Sequence, residues 1–390
     1  MSRKDQSMFL APASVLDYRE LARRRIPRQL FDYIDGGAYD ERTMAENIEA
    51  LQRLRLRQRI LRDVSEIDLS VELFGENYRM PVALGPVGLI GMFARRGEAQ
   101  AARAAEKFGV PFCESTVSVC SIEELRAATS APFWFQLYVM RDRGYAKELM
   151  ERALAAGVKT LILTVDLAVV GARYRDTRNG MTDPIPLPKK LVRALDLITH
   201  PRWLFDVPIG GKPLTFGNLE KAVPDGRNPA AFKEWVDSQF DPSVTFADLE
   251  WVRENWPHQI VLKGILDAED ARLAKEAGAN AIIVSNHGGR QLDGVLPTAE
   301  ALPRCVEAVG DGVDILVDGG IRSGLDVVKM LALGAKACLL GRAWAYAVAG
   351  GGEAGVAHIL EIIEKEMRVA MALGGETSIS ALGPHVLEAL

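Results

Sequence analysis

The sequence has few cysteines and no long apolar run. Its four cysteines, Cys113, Cys120, Cys305 and Cys338, lack metal-ligand spacing, so we expect buried thiols in a reducing compartment and no metal site. No run reaches the roughly eighteen apolar residues of a membrane span. The first residues, MSRKDQSMFLAPAS, contain no apolar core of signal-peptide length. We therefore expect a cytoplasmic protein that does not cross a membrane.

The sequence also has no excess of positive charge. Its net charge of −5 argues against a nucleic-acid-binding protein, which usually carries a basic face. Hydrophobic residues make up 48% and charged residues 25% of the chain, a balance typical of globular proteins with a large core. The length of 390 residues leaves open one large domain or two smaller ones.

Eight short apolar runs are continuous rather than alternating, which predicts strands buried on both faces. They span residues 80–87, 110–115, 132–139, 160–166, 259–265, 281–286, 314–320 and 337–342. Helical patterns such as RGEAQAARAAEKFG and DAEDARLAKEAG separate most of them, and several end in glycine, which favours a helix C-terminus. Eight alternations predict a (β/α)8 TIM barrel rather than an open doubly wound sheet.

Two stretches lie outside this repeat, and we assign all of the chain to a single domain. Residues 1–80 have amphipathic patterns that predict an N-terminal helical cap. Residues 167–258 form a long insertion after the fourth strand, which leaves 81–166 and 259–390 for the barrel. A loop of this length is usually functional or mobile.

Part of the insertion, residues 186–206, is amphipathic and basic. It combines four basic residues with six apolar ones: Lys189, Lys190, Arg193 and Arg202 with Leu191, Leu195, Ile198, Trp203, Leu204 and Phe205. This pattern is typical of a helix at a membrane surface, with Trp203, Leu204 and Phe205 exposed. The alternative is that the segment packs on the barrel.

Polar groups end almost every predicted strand. Catalytic residues of such barrels collect at the carboxyl ends of the strands, and unpaired buried charges are costly, so these residues predict one functional site. The residues at the strand ends, most of them polar or charged and the others Pro86, Val87 and glycines, are Pro86, Val87, Gly88, Ser115, Thr116, Gln136, Tyr138, Thr164, Asp166, Lys263, Asn286, His287, Asp318, Gly319, Gly320, Arg322, Gly341 and Arg342.

The last two strands are followed by DGGIRSG and GRAW. Glycines there allow backbone N–H groups to approach phosphate oxygens, and Arg322 and Arg342 add positive charge. The pair of loops predicts a phosphorylated cofactor, and the uncharged polar groups of the first four strands favour a flat ring such as an isoalloxazine. No GxGxxG follows the first strand, which argues against a Rossmann-type dinucleotide site.

Six stretches, SNHGGRQLDG, FQLYV, TVD, LKGI, DGGIRSG and GRA, resemble in order and spacing the FMN-dependent L-2-hydroxy acid oxidoreductases. The resemblance runs from FDYIDGGA to EKEM, nearly the whole chain. Within the family, GPVGLIGMFARRGE, STVSVC and GARYRD look most like the bacterial respiratory L-lactate dehydrogenases. The resemblance implies oxidation of L-lactate to pyruvate with FMN, a quinone acceptor, peripheral attachment to the cytoplasmic face of the inner membrane, and a tetramer.

The resemblance also implies catalytic roles. His287 would be the base that takes the substrate's proton while the α-hydrogen goes to the flavin N5. Asp166 would orient that imidazole and stabilise its cation, as the carboxylate of a catalytic triad does. Lys263 would lie near flavin N1, where negative charge develops on reduction.

Four further residues are implied to bind substrate. Arg290 would hold the substrate carboxylate in a bidentate fork, with the Tyr33 hydroxyl as a second donor. Tyr138 would lie near the substrate hydroxyl, and Arg173 beside the carboxylate or the base. The glycines between His287 and Arg290 would let one turn present both the base and the anion-binding group.

The cofactor-binding residues follow from the same resemblance. They are Pro86, Val87, Gly88, Ser115, Gln136, Thr164, Lys263, Ser285, Asp318, Gly319, Gly320, Arg322, Gly341 and Arg342. Val117 stands where some members have tryptophan, which leaves substrate size open, and Gly88 replaces an alanine of several oxidases, which favours a dehydrogenase. The alternatives are an oxygen-using oxidase, a mandelate dehydrogenase, another FMN-dependent barrel enzyme such as an isomerase, and an inactive FMN-binding protein.

Overall fold

The computed structural model describes residues 11–181, 187–211, 215–222 and 238–388. Its N-terminal part contains helices α1 (Val15–Arg25), α2 (Arg28–Asp35) and α3 (Arg42–Arg53) and an antiparallel hairpin of β1 (Val71–Leu73) and β2 (Glu76–Tyr78). The cap is therefore not wholly helical, since the sequence pattern did not indicate the hairpin. The helical pattern also breaks after α2, where a side chain at Gly37 would lie 2.9 Å from the Gly289 carbonyl oxygen.

Eight parallel strands form the barrel. They are β3 (Val82–Leu84), β4 (Cys113–Ser115), β5 (Trp134–Tyr138), β6 (Thr160–Thr164), β7 (Gln259–Ile265), β8 (Ala281–Val284), β9 (Asp314–Val317) and β10 (Ala337–Leu340). From β4 to β10 each strand pairs with the next, and β10 pairs with β3. An isolated bridge joins Leu84 of β3 to Phe112, the residue just before β4, so the ring is nearly closed. The predicted (β/α)8 barrel is confirmed.

Helices surround the barrel and extend into the insertion. They are α4 (Gly97–Phe108), α5 (Ile122–Ala128), α6 (Arg143–Ala155), α7 (Tyr174–Asn179), α8 (Leu187–Ile198), α9 (Pro201–Leu204), α10 (Asp248–Asn255), α11 (Ala268–Glu276), α12 (Thr298–Val309), α13 (Gly324–Ala332) and α14 (Arg342–Gly374). Local sequence sets several ends. A capping box of Ser121 and Glu124 begins α5, and Gly109, with φ +82°, ends α4.

The barrel interior is filled from its amino end by the hairpin. Val71, Leu73, Phe74 and Tyr78 pack against inward-facing strand residues such as Trp134, whose ring meets that of Phe74 edge-on at 5.4 Å between centroids. A second, larger core lies between the strands and the surrounding helices. With the amino end covered in this way, the carboxyl ends of the strands are the open end of the barrel.

The insertion has two parts with different roles. Its last helix, α10, buries Leu249 and Val252 and takes the place of the barrel helix between β6 and β7. Before it, α7, α8, α9 and a π-helical turn (Phe205–Ile209) lie beyond the open end of the barrel strands. Pro186, part of the predicted surface segment, and the side chain of Lys189 lie outside the described residues.

The expected exposure of Trp203 is wrong. Its side chain is 7% exposed, and its indole N–H donates to the carbonyl oxygen of Met92 at 2.7 Å, because the ring packs on the loop after β3. Leu204 is half-buried. Phe205 is 65% exposed, as expected. The segment therefore packs through Trp203 and presents other apolar residues outward.

Candidate active site

The carboxyl ends of the strands open into a cavity of about 1200 Å³. All of the predicted site residues line it except Thr116, Asp166, Ser285 and Asn286. Asp166 and Ser285 contact His287 and Lys263, which do line it, and Thr116 donates to the carbonyl oxygen of Gln136. Asn286 is hydrogen-bonded instead to Asn47 of α3. The structure therefore brings together groups from every barrel strand with Tyr33 of α2 and Arg173 of the insertion.

His287 and Asp166 form a hydrogen-bonded pair. His287 Nδ1 lies 2.9 Å from Asp166 Oδ1, which leaves Nε2 as the other ring nitrogen. In a neutral imidazole bonded to a carboxylate, Nδ1 carries the proton and Nε2 is free to accept one. Asp166 fits closely against β7, because a side chain at Gly264, with φ +110°, would lie 2.6 Å from Asp166 Cβ.

The electrostatics of the pair favour a neutral base beside a carboxylate. Burial lowers the pKa of His287, and Asp166 opposes that effect only in part. Burial acts against ionisation of Asp166, but the charge and hydrogen bond of His287 and the charge of Lys263 outweigh it, so the pKa of Asp166 is lowered. At neutral pH the imidazole can therefore accept a proton, and the carboxylate behind it can stabilise the cation that forms.

Lys263 is buried and joins two elements of the site. Its ammonium donates to Ser285 Oγ at 2.9 Å and forms an ion pair with Asp318 Oδ2 at 2.9 Å. Ser285 Oγ also accepts the backbone N–H of His287 at 3.0 Å. Burial alone would lower the pKa of Lys263, but the charges of Asp318 and Asp166 raise it. Lys263 therefore presents a fixed positive charge to the cavity.

Arg290 is another positively charged residue that lines the cavity. Its Nη1 donates to the carbonyl oxygens of Tyr33 at 2.7 Å and Gly36 at 2.8 Å, and its guanidinium lies 5.0 Å from the centre of the Tyr33 ring. Burial and the neighbouring charge of Arg173 lower the pKa of Arg290 to about 10. An anionic ligand such as a carboxylate would offset the repulsion between the positive charges of Arg290 and Arg173.

Left-handed backbone makes this arrangement possible. His287, Gly288 and Gly289 have φ angles of +56°, +63° and +72°, and a side chain at Gly289 would lie 2.6 Å from the backbone nitrogen of Met44 in α3. Glycine at 289 is thus required by both conformation and space. The turn carries His287 and Arg290 to the same cavity, as the sequence predicted.

Tyr138 completes the polar wall. Burial, with smaller effects of Asp166 and Tyr33, raises the pKa of Tyr138, so its hydroxyl stays protonated and can donate a hydrogen bond.

Asp176 of α7 also lines this wall and was not predicted from the sequence. Burial raises the pKa of Asp176 despite the opposing charges of Arg290 and Arg173. Its only sequence signal was the motif GARYRD, and no role followed from that.

The loops after β9 and β10 form the other end of the cavity. Gly319 and Gly320 have φ angles of +99° and +81°, and a side chain at Gly320 would lie 2.4 Å from the Asn47 carbonyl oxygen. Arg322 and the start of α14 at Arg342 line the same end. Backbone and guanidinium N–H groups next to a helix start are suited to a phosphate.

The Arg342 side chain has a structural task as well. Its three nitrogens donate to the carbonyl oxygens of Ile34, Gly288 and Gly36 at 2.7 to 3.0 Å, so it ties α2 to the His287 turn. Burial and the charges of Arg290 and Arg322 lower the pKa of Arg342 to about 9. A phosphate at this end would offset that clustering of positive charge.

The cavity residues fit a flat cofactor with a polar edge. Gln136 Nε2, Thr164 Oγ1 and Asp318 Oδ1 are buried without a hydrogen-bond partner among the described residues. The amide of Gln136 is held because its Oε1 accepts from Ser115 Oγ at 3.0 Å. Buried polar atoms in native proteins are almost always paired, so these three atoms indicate a ring that hydrogen-bonds to them.

The outer wall of the cavity was not foreseen from the sequence. It is formed by side chains of α2, the loop after β3 and the insertion, including Gln29, Met92, Leu167, Met181 and Phe240. These residues do not end strands, so the strand-end pattern could not find them. The length of the insertion was the only signal.

Comparison with known proteins gives consistent results. The family model described as FMN-dependent dehydrogenase matches residues 22–389. An L-lactate dehydrogenase of Caulobacter vibrioides (strain NA1000 / CB15N) is 56% identical over 375 residues, 96% of this chain and 97% of that protein. One of Xanthomonas oryzae pv. oryzae (strain PXO99A) is 55% identical over 380 residues, 97% of each.

Solved structures give the same fold over the whole chain. The monotopic membrane protein (S)-mandelate dehydrogenase superposes with a TM-score of 0.90 at 39% identity and covers 97% of this chain and 99% of its own. A mandelate oxidase with (S)-4-hydroxymandelic acid reaches a TM-score of 0.83 at 37% identity, with 97% and 98% covered. Among the described residues, no helix is both long and apolar enough to span a membrane.

Proposed function

Because the chain belongs to the FMN-dependent dehydrogenase family, we propose that it oxidises L-lactate to pyruvate and passes the electrons to a membrane quinone. The overall reaction moves two electrons and two protons from lactate to the quinone, giving quinol. One observation carries the proposal: His287, hydrogen-bonded to Asp166, lines the same cavity as Arg290. A proton acceptor and a carboxylate-binding cation are therefore available to one small 2-hydroxy acid.

In this proposal Arg290 and Arg173 bind the substrate carboxylate. Both guanidiniums line the cavity, and Arg290 uses only Nη1 for backbone carbonyls among the described residues. Its remaining N–H groups are available for a carboxylate, for which the planar fork is suited. The hydroxyls of Tyr33 and Tyr138 add neutral donors that orient the substrate.

His287 then takes the proton of the substrate hydroxyl at Nε2. Asp166 acts as a positioning residue that holds Nδ1 and stabilises the imidazolium. FMN, when bound, supplies the acceptor for the α-hydrogen and its electron pair. We place its ring against Gln136, Thr164 and Lys263 and its phosphate at Gly319, Gly320, Arg322 and the start of α14.

The substrate is the first point to test. Relatives named L-lactate dehydrogenase are 55–56% identical over almost the whole chain, whereas mandelate enzymes among the solved structures are 37–39% identical. Mandelate is the second candidate, because Val117 and Phe240 leave an apolar wall on a large cavity. We expect a higher kcat/KM for L-lactate than for (S)-mandelate. The reverse order would assign the protein to the mandelate branch.

A membrane surface is proposed for the outer face of α8 and the π-helical turn. Six apolar side chains there are each more than half exposed: Leu191, Val192, Leu195, Ile198, Phe205 and Ile209. Basic Lys190 and Arg202 are exposed beside them, and contiguous apolar exposure with basic neighbours is typical of interfacial helices. The monotopic membrane mandelate dehydrogenase of the same family supports the proposal. A quinone would then be reached from the bilayer, on the cytoplasmic side.

Two measurements test this function. Purified protein should be yellow, and its flavin absorbance should bleach when L-lactate is added without oxygen. A protein that keeps its colour with every 2-hydroxy acid is an inactive FMN-binding protein. Turnover with quinone should exceed turnover with oxygen, whereas rapid oxygen consumption would indicate an oxidase.

The tetramer is also a proposal, and light scattering of the purified protein tests it.

A further inference from the structure

A second cavity, of about 560 Å³, lies apart from the active site and is lined mainly by charged residues. Four arginines line it: Arg25 at the end of α1, Arg95 and Arg96 before α4, and Arg103 within α4. Two acidic residues, Asp206 and Glu353, line the same cleft. We call this cavity the arginine cleft. None of its residues has a task in the proposed reaction.

The positive charges of the arginine cleft are only partly compensated by the described residues. Arg96 is paired with Glu124, but Arg103 shares Glu353 with Lys107, at 2.8 and 2.7 Å. Arg25 and Arg95 share Asp206, each with its nearest guanidinium nitrogen 3.8 Å from a carboxylate oxygen. Those two distances exceed hydrogen-bond length, so both guanidiniums keep donors for another anion.

The backbone around Arg25 and Arg95 does not use up these donors. Arg25 Nη1 donates to the Gly350 carbonyl oxygen at 3.3 Å, and Arg95 Nη1 to the Gly210 carbonyl oxygen at 3.5 Å, both long contacts. The start of α4 at Gly97 lies beside these residues, and the partial positive charge of a helix N-terminus adds to the same field. The cleft is therefore suited to a compact, oxygen-rich anion.

The arginine cleft is continuous with the proposed membrane surface. Asp206 belongs to the π-helical turn, and Gly210 and Gly211 follow it directly. Phe205 and Ile209 of the same turn are 65% and 63% exposed. An anion bound by Arg25 and Arg95 would thus lie next to the apolar side chains that we place in the lipid.

We propose that the arginine cleft binds the phosphate of an anionic lipid headgroup while the adjacent apolar side chains enter the acyl region. This inference rests on the proposed membrane function and adds a headgroup preference to it. A guanidinium fork pairs with a phosphate or a carboxylate, whereas a general basic surface responds only to charge density. A fatty-acid carboxylate is attached directly to its acyl chain, but a headgroup phosphate projects from the glycerol backbone, so we expect only the phosphate to reach into the cleft.

The test compares lipids of equal charge but different headgroup chemistry. FMN-loaded protein is floated with phosphatidylcholine vesicles that contain either phosphatidylglycerol or oleate, adjusted to the same surface potential. We expect wild type to bind the phosphatidylglycerol vesicles about five- to tenfold more tightly. Arg95→Gln and Arg25→Gln should remove this preference, with flavin content, melting temperature and turnover with a water-soluble dye acceptor unchanged.

Arg202→Gln is the matched control, since it removes one exposed charge from the same membrane-facing segment but lies outside the cleft. It should weaken binding to both vesicle types equally and keep their ratio. If Arg95→Gln behaves like Arg202→Gln, the cleft proposal is overturned while the membrane proposal stands. If wild type floats with neither vesicle, the membrane proposal fails, and the headgroup proposal fails with it.

Removing the negative charge of Asp206, which competes with the lipid phosphate for Arg25 and Arg95, should strengthen vesicle binding. Asp206→Asn should tighten binding to phosphatidylglycerol vesicles by a few fold, more than Asp196→Asn, which makes the same charge change on α8. Equal effects of the two substitutions would contradict a specific site.

Glycerol phosphate in solution should compete only weakly with the vesicles for the protein. Tight binding of glycerol phosphate would show a soluble ligand instead, and a changed oligomeric state in Arg95→Gln would show a subunit contact.

Discussion

At the scale of single residues, the His287 turn determines which groups meet in the cavity. Three successive left-handed residues direct the imidazole toward Asp166 and carry Arg290 to the carbonyl oxygens at the end of α2. A neutral base and a cation for the substrate carboxylate are thereby supplied by four consecutive residues.

His287→Gln tests the base. Glutamine retains a polar side chain but has no basic nitrogen, so we expect FMN to remain bound while the rate of flavin reduction by L-lactate falls roughly 10²–10⁴-fold. Stopped-flow absorbance without oxygen measures this rate. His258→Gln is the control, because His258 is exposed just before β7, at the far end of the barrel. Near-normal reduction in His287→Gln would remove His287 from this role.

Asp166→Asn tests the positioning residue through the pH profile. The carboxylate raises the pKa of His287 against the stronger lowering effect of burial, so its loss should lower that pKa further. The base stays neutral to lower pH, and the acid limb of kcat/KM against pH should move toward lower pH. The plateau should fall roughly 10²-fold or more, because the imidazolium loses its partner. A lower plateau with an unmoved limb would indicate a purely structural role.

Arg290→Lys tests carboxylate binding. Lysine keeps the charge but loses the planar fork and the two carbonyl contacts of Nη1, so we expect the KM for L-lactate to rise roughly 10- to 100-fold. Steady-state kinetics with a dye acceptor measure it, and Arg304→Lys, at an exposed position of α12, should leave KM unchanged. An unaltered KM in Arg290→Lys would mean that the substrate anion binds elsewhere.

At the scale of elements, the segment from α8 to the π-helical turn contains two neighbouring aromatic residues in different environments. Trp203 is buried and hydrogen-bonded to Met92, whereas Phe205, two residues later, is largely exposed. The first attaches the segment to the barrel, and the second belongs to the proposed membrane surface.

The different burial of Trp203 and Phe205 predicts different effects when each side chain is replaced. Phe205→Ser should weaken binding to anionic vesicles about tenfold without lowering the melting temperature. Trp203→Ala should instead reduce the free energy of unfolding by about 3–5 kcal/mol, the usual cost of removing a buried aromatic side chain. Vesicle flotation and thermal unfolding of both variants decide the matter. A destabilised Phe205→Ser with unchanged flotation would show that the face packs on protein rather than on lipid.

At the scale of the whole molecule, the barrel could be predicted because each strand is a short apolar run buried on both faces. The strand-end rule then placed Lys263, His287 and Asp318 in one site, since parallel strands end at the same side. The hairpin at residues 71–78 and the cavity wall from Gln29 and Met181 depend on long-range packing. Their local sequence carries no period that distinguishes them from other surface segments.

The burial of Trp203 in the insertion also depends on a long-range contact that the local sequence does not indicate. Its neighbours in sequence are basic and apolar in the pattern of an interfacial helix, and that pattern holds for Phe205. Trp203 differs only because the loop after β3 offers a carbonyl group at the right distance. Such a contact between residues 111 positions apart cannot be read from local composition.

One anaerobic stopped-flow experiment tests the central claim that this protein transfers electrons from L-lactate through FMN to a membrane quinone. The flavin is first reduced with L-lactate and then mixed either with quinone-containing vesicles or with oxygen-saturated buffer. We predict bleaching by L-lactate and reoxidation that is much faster with the quinone vesicles than with oxygen. A flavin that L-lactate fails to bleach, or that oxygen reoxidises faster than quinone, would contradict the account.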